Sequence, residues 1–364
     1  MADIKRIGVL TAGGDCPGLN AVLRGLVKTA SFDHGMQVVG FLDGYAGLLS
    51  DRSLRLDSDA VSGILQLGGT ILGSSNRDDP FRVPVTVEGK RSHADRSDEA
   101  IRTFDRYGLQ LLVVIGGDGS LTIGHQLAQK GVPVIGIPKT IDNDLAATDV
   151  SFGFDTAMTT AAEALDKLHT TAESHHRIMV LEVMGRYTGW IALQAGLAGG
   201  GDVILIPEIP FRIESVVNAI KERTFRGRTF TLIVISEGAK TEDGQVVVSK
   251  MVEESTDAIR LGGIGRWLAA GLEKRLETEV RVTVLGHLQR GGTPTPFDRI
   301  LGTRYGVHAA HCAAEGCREI MVSLKGTQVT EVSLADAIRE LRRVEPESQL
   351  VRAARSVGTR FGDE

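Results

Sequence analysis

Three short segments set carboxylates among glycines and hydroxyls, a combination suited to handling phosphate. In Ile115-Gly116-Gly117-Asp118-Gly119-Ser120, the glycines allow a backbone to approach an anion closely. The one carboxylate suits a hard Mg²⁺ ion that also takes phosphate oxygens. In Pro138-Lys139-Thr140-Ile141-Asp142-Asn143-Asp144, two carboxylates stand one residue apart and repel unless a cation or donors offset them. One can act as base toward an acceptor hydroxyl while the other organises metal or water. An Asp of ordinary pKa is a weak base, but phosphoryl transfer draws most of its catalysis from positioning and charge neutralisation. The third segment, Thr11-Ala12-Gly13-Gly14-Asp15 running on to Asn20, follows a strand-like run. The helix after it offers free N–H groups and a positive dipole end. Taken alone, such a turn is more often structural than functional.

Basic residues recur at predicted strand ends and turns: Arg177, Arg186, Arg281, His287 and Arg290. Arg186 sits in Met184-Gly185-Arg186-Tyr187-Thr188-Gly189, and His287 and Arg290 sit in Gly286-His287-Leu288-Gln289-Arg290-Gly291-Gly292. Guanidinium forks beside glycine turns suit phosphate recognition. The net charge of −5 means that an anionic substrate must be held by such a local cluster. The same charge argues against a nucleic-acid partner. His287 has no second ligand at metal spacing, and the three cysteines, Cys16, Cys312 and Cys317, form neither a ligand motif nor a disulfide framework.

The elements that must position these groups read as alternating strands and helices. Buried strands are predicted at Ile7–Leu10, Leu111–Ile115, Val132–Ile137, Ile178–Leu181, Val203–Ile206, Leu232–Ile235 and Val280–Leu285. Helices are predicted at Asp98–Tyr107, Ser120–Lys130, Asp155–Ala172 and Asp257–Leu276. Short apolar runs alternating with amphipathic segments imply parallel sheets covered on both faces, which bind ligands at the carboxyl ends of their strands. The three acidic loops fall at those ends. Asn76–Arg96 reads as a mobile charged insert, and the tail as a solvated face with a helix over Leu334–Arg342. At 364 residues, two or three domains are expected. No apolar run is long enough to span a bilayer, and a cytoplasmic protein is expected.

Together these segments resemble the 6-phosphofructokinase family, in family order from Gly8 to about Arg304. The resemblance implies an α/β fold of two Rossmann-like domains with mainly parallel sheets. The larger, nucleotide-binding domain would be 1–153 plus 289–340, and the smaller, sugar-phosphate domain 154–288 plus 341–364. It implies Mg²⁺ as cofactor, ATP as donor and fructose 6-phosphate as acceptor. Asp142 would be the base, with Thr140 and Arg186 also catalytic, and Asp118 the metal ligand. Gly13, Asn76, Arg77 and Gly116-Gly117-Asp118-Gly119-Ser120 would lie against the donor. Thr140, Asp142, Asp144, Met184, Gly185, Arg186, Glu237, His287 and Arg290 would hold the sugar phosphate. Arg177 and Arg281 would reach it from a neighbouring subunit of a homotetramer or homodimer.

Three departures matter. Gly119 resembles ATP-using members, since pyrophosphate users usually carry Asp there, yet Lys139 resembles the pyrophosphate users. Glycine removes an obstruction to the α-phosphate, whereas a lysine can coexist with ATP, so ATP is the expected donor and pyrophosphate the alternative. Asn76 stands where many ATP users carry an Arg, with Arg77 one residue later. At the family's effector site, Arg24, Arg226 and Arg228 match basic positions, but Lys28, His169 and Phe230 depart from the pattern. The NAD and lipid kinases share Gly-Gly-Asp-Gly but lack the Met-Gly-Arg-Tyr and Gly-His-Leu-Gln-Arg-Gly-Gly segments. A non-catalytic sugar-phosphate binder is opposed by intact Asp118, Asp142 and Arg186. An oxidoreductase is opposed by the absence of Gly-x-Gly-x-x-Gly after the first strand.

Overall fold

Strands Arg6–Thr11, Leu111–Gly116 and Val134–Pro138 have no polar face. Runs of this kind are stable only between two covering layers. The computed structural model describes residues 4–87, 89–244, 248–251 and 259–364. These fall into two compact units. One comprises residues 4–155 and 290–341, the other 156–251, 259–289 and 342–364.

In the first unit, the described residues form a seven-stranded sheet. Its order is Gln328–Ser333, Ile320–Lys325, Val134–Pro138, Leu111–Gly116, Arg6–Thr11, Gln37–Phe41 and Ser53–Leu56. The five inner strands run parallel and the two edge strands antiparallel. Leu10, Phe41, Tyr45, Leu112, Val114, Leu121 and Leu127 belong to the core on one face. Helix Leu19–Phe32 packs on helix Pro296–Glu315. The crossing is close enough that a Cβ on Gly306 would fall 2.2 Å from the Val22 carbonyl oxygen.

The second unit holds a four-stranded parallel sheet ordered Val280–Val284, Ile178–Val183, Thr231–Ser236, Val203–Leu205. Ile178, Val180, Leu205, Phe211, Ile233, Ile235 and Leu268 belong to its core.

Every strand read from the sequence is present within a few residues, and the helices fall at Ser97–Arg106, Asp118–Gln129, Phe154–His175 and Ile264–Glu273. The last was predicted to begin at Asp257; 257 and 258 lie outside the described residues, and Ile259–Leu261 is a strand paired with Val248–Met251, not helix, because Gly262 and Gly263 at positive φ break the chain before Ile264. Two further expectations are corrected. Asn76–Arg96 is not a plain insert but contains an antiparallel hairpin, Val83–Val87 with Lys90–Ala94. Its β-branched first strand pairs with a polar one, Val83 with Ala94, Val85 with Ser92 and Thr86 with Arg91. The tail helix covers only Leu334–Ala337 and is followed by a separate helix, Gln349–Ser356, capped by Ser348. Among the described residues, no helix is long and apolar enough to cross a membrane.

Candidate active site

Register brings the three acidic loops of the first unit side by side. Thr11 pairs with Ile115, and Gly116 with Pro138. Ala12 N–H donates to the Ile115 carbonyl at 3.0 Å and Lys139 N–H to that of Gly116 at 2.9 Å. The three strands therefore end together, and their loops share one edge of the sheet. Gly13, at φ 82, lies in the left-handed region that favours glycine. A Cβ built on it would stand 3.1 Å from Ser120 Oγ and 3.2 Å from Lys139 Nζ. Gly13, Gly14, Asp15, Thr70, Gly73, Ser74 and Asn76 line a cleft of about 380 Å³. Asn76 thus faces the cleft, whereas the exposed Arg77 is not among its lining residues.

Gly119 differs from its neighbours. A Cβ on Gly116 would fall 2.4 Å from Ser120 Cβ and one on Gly117 3.2 Å from the Lys139 carbonyl, but one on Gly119 would meet nothing within 4 Å. Asp118 and Gly119 form the first turn of helix Asp118–Gln129, which has no side-chain cap. Its leading N–H groups and dipole therefore favour an anion. Burial raises the Asp118 carboxyl above its ordinary range. Burial first, and then the charge of Asp142, pushes Asp144 up to about 7, and Asp118 adds to the same effect. A half-buried Asp118, together with an Asp144 that feels the charges of both Asp142 and Asp118, offers hard oxygen donors of the kind a divalent cation takes. The loop itself is fixed locally: Asp142 N–H donates to Thr140 Oγ1 at 3.0 Å, and Ser151 Oγ donates to the Thr140 carbonyl at 2.9 Å.

Lys139 is almost fully buried, with its ammonium donating to the Gly14 carbonyl. Burial lowers its pKa, with Arg290 acting in the same direction and Cys16, Asp15 and Asp142 opposing. Arg290 also belongs to this unit. Its Nη1 donates to the Asp15 carbonyl at 3.0 Å, and a Cβ on Gly14 would lie 2.8 Å from that nitrogen.

In the second unit, Val183 pairs with Ser236, and Glu182 with Val284. The turns bearing Met184-Gly185-Arg186, Glu237-Gly238 and Gly286-His287 consequently leave one end of the sheet together. Glu237 N–H donates to the Val183 carbonyl at 2.9 Å and Gly238 N–H to that of Gly185 at 3.1 Å. The Arg186 guanidinium stands over the Tyr187 ring at 5.1 Å, and His287 is exposed on the short 3₁₀ turn Gly286–Arg290.

The family profile described as phosphofructokinase matches residues 6–313. ATP-dependent 6-phosphofructokinase 2 of Clostridium perfringens is 54% identical over 365 residues, 100% of both chains. This chain belongs to the phosphofructokinase family. A second relative, the pyrophosphate–fructose 6-phosphate 1-phosphotransferase of Amycolatopsis methanolica, is 50% identical over 342 residues, 94% of this chain and 97% of that protein. Among solved structures, phosphofructokinase from Saccharomyces cerevisiae matches with a TM-score of 0.77 at 30% identity. The match covers 92% of this chain and 45% of the yeast chain, so this chain spans less than half of that one's length.

In this chain, Arg177 and Arg281 lie together. Arg177 immediately precedes strand Ile178–Val183, Arg281 pairs with Met179, and both guanidiniums bind the Glu279 carboxylate. Arg226 and Arg228 line a cavity with Asp202, Glu222, Arg223 and Arg360. Arg223 there is already paired with Asp202 at 2.7 Å. His169 and Phe230 meet edge to face at 5.0 Å.

Sequence reasoning missed the residues that hold the loops. Gln289, fully buried, accepts the Met184 N–H at 2.8 Å through Oε1. Glu182, also buried, accepts from Gly263 N–H at 3.0 Å and Gly265 N–H at 2.8 Å. Ser236 donates its hydroxyl to the Gly185 carbonyl. The available signal was a polar residue inside an otherwise apolar strand or glycine-rich motif, since such a residue must find a partner when buried.

Proposed function

We propose that this chain is an ATP-dependent 6-phosphofructokinase, transferring the γ-phosphoryl group of ATP to the 1-hydroxyl of fructose 6-phosphate. The observation that carries the donor assignment is the empty space in front of Gly119. Glycine inside a helix costs about 1 kcal/mol relative to alanine, and no packing demand accounts for it here. The reading is supported by the 54% identical relative, itself named ATP-dependent.

In this reading, Gly13 lies against the donor phosphates, its own N–H being held by the Ser75 carbonyl, and the turn Gly116–Ser120 takes them through backbone N–H groups and the Ser120 hydroxyl, with Asn76 and Arg77 beside them. Asp118, with Asp142 and Asp144 near it, holds Mg²⁺, whose bound charge offsets that of the phosphates. Asp142 accepts the proton of the 1-hydroxyl, and Thr140 fixes the Asp142 backbone while Asp144 shares its field. Met184, Gly185, Glu237, His287 and Arg290 orient the sugar phosphate, and Arg186 neutralises charge that develops in transfer. Lys139 supplies positive charge near Gly13. Arg177 and Arg281 serve a neighbouring subunit of a homo-oligomer, with a tetramer the favoured size. Residues 1–153 with 289–340 act as the nucleotide-binding domain and 154–288 with 341–364 as the sugar-phosphate domain. The enzyme is assigned to the cytoplasm.

Pyrophosphate is the second reading, favoured by Lys139 and by the relative of that name at 50% identity. Both are tested by turnover of fructose 6-phosphate with Mg²⁺ and either donor. ATP should give the higher kcat/KM. A higher value with pyrophosphate would reverse the donor assignment, and no turnover with either would remove the enzymatic one.

A further inference from the structure

Outside the loops described above, one cluster of ligating side chains is not used by the proposed reaction. His308 and Cys312 stand one helical turn apart on helix Pro296–Glu315, at the i,i+4 spacing that puts two side chains on one face. Glu331 reaches them from edge strand Gln328–Ser333. Its Oε1 atom meets His308 Nε2 at 2.5 Å and accepts from Cys312 Sγ at 3.4 Å. One ligand atom from each of the three lies within 4.8 Å of the others. Cys317, just past the helix, donates its backbone N–H to the Cys312 carbonyl at 2.9 Å. Cys312 is buried, His308 and Cys317 are half-buried and Glu331 is exposed, so solvent reaches the cluster from the strand side.

We propose that His308, Cys312 and Glu331 form a zinc site in this chain, with the fourth tetrahedral position on the solvent side taken by water. Imidazole, thiolate and carboxylate together suit zinc, whereas Mg²⁺ and Ca²⁺ take oxygen ligands. With Zn–N near 2.0 Å and Zn–S near 2.3 Å, tetrahedral ligand atoms stand roughly 3.3–3.8 Å apart. The Cys312–Glu331 separation already falls in that range. The His308–Glu331 contact must open by about 1 Å, within reach of the exposed Glu331 side chain. Without metal, the imidazole and thiol protons directed at Glu331 Oε1 hold the three groups together. On binding, the Cys312 thiol proton leaves to solvent, and the proton on His308 Nε2 is lost to solvent while one is taken up or retained on Nδ1, which leaves Nε2 free to ligate as neutral imidazole. The spacing in sequence gives no hint of this, because Glu331 comes from a different element than His308 and Cys312. The site fastens the end of helix Pro296–Glu315 to the edge of the seven-stranded sheet.

The test uses the full chain stripped with a chelator and titrated with Co²⁺, followed by absorption, then with Zn²⁺, followed by thermal unfolding. The wild type should bind cobalt with tetrahedral d–d bands and a thiolate-to-cobalt charge-transfer band, and Zn²⁺ should displace it and raise the unfolding midpoint. Cys312→Ser should abolish the charge-transfer band. Glu331→Gln should weaken cobalt binding at least tenfold and remove the zinc-induced shift. Cobalt held by Asp118 and its neighbours would give no thiolate band. If Cys312→Ser does not fold, the exposed Glu331→Gln decides alone. Absence of a thiolate band in the wild type, or unchanged affinity in Glu331→Gln, would overturn the proposal.

Discussion

Gly119 occupies a first helical turn with open space before it, so a side chain there would change the donor loop without disturbing the packing. Gly119→Asp would set a carboxylate near the α-phosphate of ATP. Close like charges in a partly desolvated site cost on the order of several kcal/mol, so ATP use should fall steeply. Pyrophosphate, which ends before that point, should suffer less, with Lys139 already at the loop. The measurement is the ratio of kcat/KM for the two donors before and after the substitution, and an unmoved ratio would mean that Gly119 does not decide the donor. Asp144 gives a second residue-scale prediction. In the unfolded chain its carboxyl ionises near 4, whereas burial and the Asp142 charge push it up to about 7 in the folded protein. Between those values the unfolded chain binds fewer protons, so this group's contribution to stability is present below about pH 4 and is lost as pH rises through 7. Asp144→Asn should therefore gain in urea midpoint relative to wild type at pH 8, with the gain shrinking as pH falls toward 4. A difference independent of pH would contradict the assignment.

At the scale of elements, the sites depend on strands that end in register and on turns locked against each other. A Cβ on Gly238 would fall 1.9 Å from the Arg186 carbonyl oxygen. Gly238→Ala must therefore move the Met184-Gly185-Arg186 turn, while leaving the donor loops untouched. KM for fructose 6-phosphate should rise about tenfold or more, since displacement of a positioning group by about 1 Å has effects of that size. KM for ATP should hold, with circular dichroism reporting an unchanged fold. Equal losses for both substrates would point to general unfolding. The three central strands of the first sheet and the four of the second were legible because apolar runs between turns leave few alternatives. Strands Gln37–Phe41, Ser53–Leu56, Ile320–Lys325 and Gln328–Ser333 were not read. The exposed pattern of Ser53–Leu56 and Gln328–Ser333 resembles loop, and these two edge strands are set by pairing, which a local window does not contain. For the same reason Asp118 and Asp142 could be singled out as candidates from their motifs, whereas Gln289 and Glu182 declare their structural roles only through the backbone groups they meet. The tail helix was overextended because Leu334–Arg342 has helical composition, but beyond Ala337 tertiary pairing wins, with Leu341 bridging to Leu145 in extended conformation.

At the scale of the whole molecule, the comparisons cover nearly the entire chain, and the remaining question is how chains combine. Arg177, just before strand Ile178–Val183, and Arg281, on the adjacent strand, share Glu279. Two guanidiniums held side by side on one carboxylate form a preassembled anion site at low reorganisation cost. A phosphate ester with two negative charges competes for both forks better than a single carboxylate does. If this pair completes the sugar-phosphate site of a neighbouring chain, the loss of Arg281 from one chain should disable its neighbour's site and not its own. Arg281→Ala and Asp142→Asn chains should each be nearly inactive as pure oligomers. Co-refolded or co-expressed, they should regain activity. A hybrid contains sites in which an intact Asp142 comes from the first chain and an intact Arg281 from the second. Mass spectrometry of the intact oligomer would establish that hybrids form, and turnover of fructose 6-phosphate would be compared with that of the two parents at equal total protein. Activity appearing only on mixing, and growing with the hybrid fraction, is the expected outcome. Verified hybrids with no gain over the parents would mean that each chain's arginines serve its own site or none.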